Sequence, residues 1–209
     1  MAIVVVGGHS RSVGKTSVVA GLIGRLPEMG WTAMKITQYG HGICSSHGEP
    51  CNCAVDDEEH TWAITEERSR SSDTDTSRFL VAGATRSLWV RTRQGRLAEA
   101  MPRLRQEIES GGNFIVESNS IIGFLRPDLY LTVLDHGIAD FKDSARSFLD
   151  RADAILIHSE TVNLPPNWSA VSLKLTQDKS VFPITYREYV TNDLVEYVRN
   201  RLSLDRARV

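Results

Sequence analysis

Residues 3–6 form an uninterrupted Ile-Val-Val-Val run that Gly7-Gly8 end. A short, wholly β-branched run of this kind packs as a strand buried on both faces. Beyond Lys15, the apolar residues Val18, Val19, Leu22, Ile23 and Leu26 recur at helical spacing. Pro27 and Gly30 close that helix, and residues 32–36 read as a second strand. Strand, helix and strand in this order make a βαβ unit. Two adjacent parallel strands need such a crossover, so the chain is committed to a parallel sheet from its first forty residues.

The rest of the chain repeats that alternation after one interruption. Residues 76–82 suit a helix and 87–90 a strand. Leu97, Met101, Leu104 and Ile108 mark a helical face that Gly111-Gly112 terminate. Residues 114–116, 129–134 and 154–157 are apolar runs of strand length, with a helix expected over 141–149. Residues 181–185 read as an edge strand and 190–202 as a last amphipathic helix. The whole, residues 1–209, is therefore read as one domain of a three-layer α/β fold with a mainly parallel sheet. The interruption, from about 40 to 72, is polar and rich in Cys, His, Asp, Glu and Ser. It reads as an inserted lobe with one helix near 56–68, in which only Trp62, Ala63 and Ile64 look core-like.

Composition narrows the function classes. Of 209 residues, 41% are hydrophobic and 24% charged, enough apolar material for a real core. Lys plus Arg is 24 against 26 Asp plus Glu, a formal net charge of -2. A chain so balanced has no global field for nucleic acid or an anionic membrane. No apolar run reaches the length of a membrane span, and the opening run lacks the basic flank of a signal peptide. A cytoplasmic location is the expectation.

Between the first strand and helix lies Gly8-His9-Ser10-Arg11-Ser12-Val13-Gly14-Lys15-Thr16. A glycine-bearing loop in that position can wrap backbone N–H groups around a phosphate, and the helix dipole favours the negative charge. In this reading Gly8, Ser12, Val13, Gly14, Lys15, Thr16 and Ser17 form the cradle. Lys15 reaches the β- and γ-phosphates of ATP or GTP, and the Thr16 hydroxyl joins a Mg²⁺ shell. Five residues separate Gly8 from Gly14, where the usual spacing is four. Either the loop is one residue longer or His9 takes the turn normally given to a glycine. Arg11 is either a solvated tip residue or a further phosphate contact.

Such a site also needs carboxylates. Phe114-Ile115-Val116 ends in Glu117, at the carboxyl end of a buried strand, where ligand crevices of open α/β sheets lie. Glu117 is read as a second Mg²⁺ ligand. Lys35 lies near the end of the second strand and is read as nucleotide-binding. Asp75, before a short helix, is either an N-cap or a group that coordinates metal and orients the attacking water. Lys15, Asp75 and Glu117 make the candidate catalytic set. Of the arginines between 78 and 105, most suit a solvated face, with one or two able to clamp an anionic second substrate.

Cys44, Cys51 and Cys53 sit together in the inserted lobe. The spacing Cys-x6-Cys-x-Cys is neither a zinc-finger nor a ferredoxin pattern. Small buried thiols are the plain reading, but a polar lobe offers little apolar cover for them. His41, His47 and His60 are near enough to complete tetrahedral Zn²⁺. A three-cysteine Fe–S cluster with an open iron position is the alternative.

In order along the chain these motifs resemble the molybdopterin-guanine dinucleotide biosynthesis protein B family. The shared features are Gly14-Lys15-Thr16, Lys35 with His41 beyond it, Asp75-Thr76 leading to Ala82-Gly83-Ala84, and Val116-Glu117 after a strand. Where that family continues Gly-Phe-Lys, this chain has Ser118-Asn119-Ser120. The resemblance covers roughly residues 1–135 with a gap. It implies a homodimeric P-loop GTP-binding protein with Mg²⁺, weak hydrolysis, a role in molybdenum-cofactor biosynthesis and a molybdopterin-like or other anionic partner. No Asn/Thr-Lys-x-Asp signature for guanine is present, so ATP and GTP both stay open. The reading is thus a slow Mg²⁺-dependent NTPase of metal-cofactor maturation. Its rivals are a metallochaperone or metal-sensing switch built on the cysteine lobe, and an ATP-dependent small-molecule kinase or ligase.

Overall fold

In the computed structural model, residues 1–39, 61–169 and 171–206 are described, apart from the side chains of 39, 173 and 204–206. The β-branched opening run forms β1 (Ile3–Gly8), and its Val4, Val5 and Val6 are fully buried, as a strand covered on both faces requires. Helix α1 (Lys15–Arg25) follows, burying Val18, Val19, Leu22 and Ile23. Then come β2 (Trp31–Tyr39), β3 (Trp62–Glu66), α2 (Asp75–Val81), β4 (Arg86–Arg93), α3 (Leu97–Glu109) and β5 (Asn113–Glu117). After β6 (Leu129–Leu134) the chain makes a short α4 (Asp143–Arg146), β7 (Ala154–His158), β8 (Ser180–Ile184) and the long α5 (Asn192–Arg206).

Among the described residues the strands form one eight-stranded sheet in the order β3-β4-β2-β5-β1-β6-β7-β8. Every neighbouring pair is parallel except β3 with β4. Parallel strands joined by helical crossovers put helices on both faces. One face carries α1, α2 and α5 over Val4, Val6, Ala33, Leu131 and Leu156. The other carries α3 and α4 over Val5, Met34, Leu88, Phe114 and Val116. The α/β three-layer architecture expected from the alternation is the one observed.

Two local expectations differ. Residues 62–66 are not part of a helix. They form the antiparallel edge strand β3, with Trp62 opposite Thr92 and Ile64 opposite Val90. Trp62 and Ile64 alternate with Ala63 and Thr65, and both pack against the second core, so the period is two rather than 3.6. The helix expected over 141–149 shrinks to α4 and a 3₁₀ turn at Leu149–Arg151. Phe141 is held out of it by packing against the His9 ring, at a centroid distance of 5.1 Å. Cys44, Cys51, Cys53, His41, His47 and His60 lie outside the described residues. No helix among those described is long and apolar enough to cross a membrane.

Candidate functional site

The loop from 8 to 16 leaves the carboxyl end of β1, flanked by β5 and β6. His9 does not take a glycine's turn. The positive φ angles fall instead at Ser12 (56°) and Gly14 (98°). Gly14 is the N-cap of α1, and no side chain caps that helix, so its first amides face the loop without a competing acceptor. A Cβ on Gly8 would come within 2.7 Å of Val13 Cγ2 and 2.9 Å of Lys15 Cγ, so only glycine fits there. The loop's shape is thus imposed by backbone conformation and close approach, as a phosphate cradle requires.

Inside the loop, Lys15 Nζ donates to the carbonyl of Ser10 at 2.6 Å. Burial pushes its ammonium down to about 8, against the partial support of Glu117. Thr16 Oγ1 donates to Glu117 Oε2 at 2.8 Å. The other oxygen, Glu117 Oε1, accepts from Lys35 Nζ at 3.1 Å, and Lys35 also pairs with Asp75. Burial opposes the Lys35 charge, but Glu117 and Asp75 outweigh it and hold the ammonium above its ordinary value. Register explains the meeting, since Lys35 sits opposite Glu117 in the β2–β5 pair. Glu117, 5% exposed, is the deepest group of this cluster.

Asp75 is not the N-cap of α2. Thr74 is, its hydroxyl accepting from Ser77 N at 3.1 Å. Asp75 is thereby released to face Lys35, and Arg78 comes within 3.6 Å of it. Arg78 in turn reaches Ser17 Oγ at 3.1 Å, so α1 and α2 are tied at the mouth of the site. Lys15, Thr16, Lys35, Asp75 and Glu117 therefore converge at one place, the carboxyl edge of β1, β2 and β5. Among the described residues no group of three or more His, Cys, Asp or Glu side chains has the arrangement to hold a metal ion.

Several residues that position this site carried no motif. Asn119 donates to the Gly8 carbonyl at 2.9 Å and accepts from the Gly8 amide at 2.8 Å, so the turn after β5 holds the base of the loop. This is what Ser118-Asn119-Ser120 supplies. His9, 0% exposed, is clamped between Phe141 and Trp168. Its Nε2 accepts from Asp135 N at 3.1 Å, so its Nδ1 carries the proton and donates to the Asp140 carbonyl at 2.9 Å. Burial pushes the imidazole down to about 4, so it is neutral. His158, also fully buried, donates from Nε2 to the Val13 carbonyl at 3.0 Å. A histidine directly after a buried strand was the one available signal for this last residue.

Comparison with known proteins agrees on the fold. No family model matches the chain, and no curated protein matches it in sequence. Among solved structures, HypB from Helicobacter pylori in complex with nickel superposes with a TM-score of 0.50 at 16% identity. That match covers 98% of this chain and 86% of that one. LpxK from Aquifex aeolicus in complex with ATP gives a TM-score of 0.46 at 17% identity, covering 88% of this chain and 53% of that one. This chain thus spans about half of LpxK's length. The chain has the α/β fold of P-loop NTPases.

Proposed function

We propose that the chain is a Mg²⁺-dependent P-loop nucleotide-binding protein and a slow NTPase. The observation that carries this is the Thr16–Glu117–Lys35–Asp75 cluster beside the glycine-shaped loop and Lys15. The nucleotide is ATP or GTP. Its phosphates lie against the loop's N–H groups, where Lys15 exchanges the Ser10 carbonyl for a β- or γ-oxygen. The donors at the loop's edge are hard oxygens, a hydroxyl and a carboxylate 2.8 Å apart, and these fit Mg²⁺. Thr16 and Glu117 would hold the ion, which when bound neutralises charge on the β- and γ-oxygens. Asp75 is placed to orient the attacking water and take its proton. The water oxygen then bonds the γ-phosphorus as the β–γ bridging oxygen leaves with the diphosphate. Lys35, bonded to both carboxylates, holds them in position.

The role in metal-cofactor maturation is supported by the order of motifs along the chain, and by sharing a fold with a protein whose structure contains nickel. A homodimer and an anionic second ligand belong to the same reading. Lys15→Ala is expected to lower nucleotide affinity at least tenfold by calorimetry. Glu117→Gln and Asp75→Asn are expected to keep melting temperatures near the parent and slow hydrolysis at least tenfold, about 1.4 kcal/mol in the barrier. Undiminished binding in the first variant, or unchanged rates in both others, overturns the proposal.

The lowered Lys15 value adds a pH signature. Above about 8 the free protein loses this charge, so phosphate binding there must take up a proton. Affinity is expected to fall above pH 8. Calorimetry at pH 8.5 in buffers of different ionisation enthalpy is expected to show proton uptake that Lys15→Ala lacks. Stability carries the opposite sign. Between about 8 and 10.5 the unfolded chain holds a proton that the folded one has released, so this residue's contribution rises with pH in that window.

A further inference from the structure

A second cation faces the phosphate loop from a different element. The segment after β6 is laced to the loop by main-chain and side-chain bonds. His9 N donates to Val133 O at 3.1 Å, Ser10 Oγ to Asp140 Oδ2 at 2.7 Å, and Lys142 N to His9 O at 2.8 Å. The last bond fixes the Cα of Lys142 beside the loop, at the N-cap of α4. Its side chain is half-buried, yet its ammonium has no hydrogen bond or ion pair among the described residues. Nor does the exposed guanidinium of Arg11 at the loop tip.

Burial pushes the Lys142 ammonium below its ordinary value, and Arg11 and Lys35 push the same way, against Asp140 and Glu117. Lys15 feels Lys142 in turn. The Lys142 backbone bond to His9 thus places its ammonium near enough to Arg11, Asp140, Glu117 and Lys35 to feel their charges. A partly desolvated cation without a partner is costly unless something anionic completes it. Lysine is a compact point charge suited to phosphate, and here its backbone is already held in place.

We propose that Lys142, together with Arg11, contacts the terminal phosphate of a nucleoside triphosphate and so separates triphosphate from diphosphate. The inference rests on the nucleotide reading of the same loop. The terminal phosphate would lie at the end of the site where Thr16 and Glu117 would hold the ion. In this proposal Lys142 and Arg11 reach that end, whereas Lys15, bonded inside the loop to the Ser10 carbonyl, serves both nucleotides.

The test compares parent, Lys142→Met and Arg11→Ala by calorimetry with Mg²⁺. The ligands are non-hydrolysable triphosphate analogues of adenosine and guanosine and the matching diphosphates. Lys142→Met is expected to weaken the triphosphate analogue at least tenfold and the diphosphate by less than twofold. Arg11→Ala should show the same preference to a smaller degree, and Lys142→Arg should restore part of the loss. Because Lys142 anchors the segment through its main chain, the melting temperature should stay near the parent's. Equal losses on both ligands, or no loss, overturn this proposal while leaving the nucleotide reading intact. A parent protein that binds neither ligand overturns both.

Discussion

Gly14→Ala is expected to disable the loop more completely than the loss of any one charge. The residue stands at φ 98°, where a Cβ costs about 1–2 kcal/mol in an L-residue. The same Cβ would overlap Cε1 of Tyr189, which lies across the start of α1. Tyr189 is half-buried and cannot retreat freely, so overpacking adds about 1–3 kcal/mol. The combined cost of roughly 2–5 kcal/mol falls on the turn that aims the α1 amides. Denaturant titration should show the lost stability, and calorimetry should show nucleotide affinity falling by more than tenfold. The double variant Gly14→Ala/Tyr189→Ala should recover part of both, because the two effects share one contact. A single variant as stable and as tightly binding as the parent would refute this account of the loop.

The second large effect belongs to His9, which holds the loop to the segment after β6. His9→Leu keeps the bulk between Phe141 and Trp168 but strips an acceptor from the Asp135 amide and a donor from the Asp140 carbonyl. Each buried group left unpaired costs about 1–3 kcal/mol, so a loss of about 2–6 kcal/mol is expected. The parent protein should also be acid-sensitive in a defined window. Below pH 6.5 the unfolded chain takes up a proton on this imidazole that the folded chain refuses until about 4. Stability is therefore complete above 6.5 and falls as the pH drops, by about 3 kcal/mol at the lower end. Denaturant midpoints of parent and variant between pH 7 and 4 should converge as the pH falls. Parallel curves would show that His9 is not the group responsible.

Tests of this kind matter because the legible part of the site and the decisive part do not coincide. Gly14, Lys15 and Thr16 could be placed from sequence because strand, loop and helix must be consecutive for a phosphate to meet a helix N-terminus. Glu117 was legible for a related reason, since an acid directly after a buried strand lands at the sheet's carboxyl edge. His9 was not. Sequence offered only an irregular loop length, and the structure shows a splint rather than a turn residue. Lys142 and Asn119 carried no signal, because each acts across more than a hundred residues of chain.

The same division runs through the fold. The βαβ opening, the parallel sheet and the helix faces follow from local periodicity, since apolar spacing alone says which residues a strand or helix turns inward. Whether residues 62–66 were helix or strand could not be settled locally. The free edge of β4 decided it by offering a ladder to an alternating Trp-Ala-Ile-Thr segment. Asp75 makes the contrast within one turn of helix. Its sequence suits an N-cap, but Thr74 caps instead, and the Lys35 cation on the neighbouring strand draws the carboxylate into the site. Local residues determined which elements form and where the loop lies. Strand order determined which charges meet, because Coulomb energy depends on distance in space and the chain's own order says little about that.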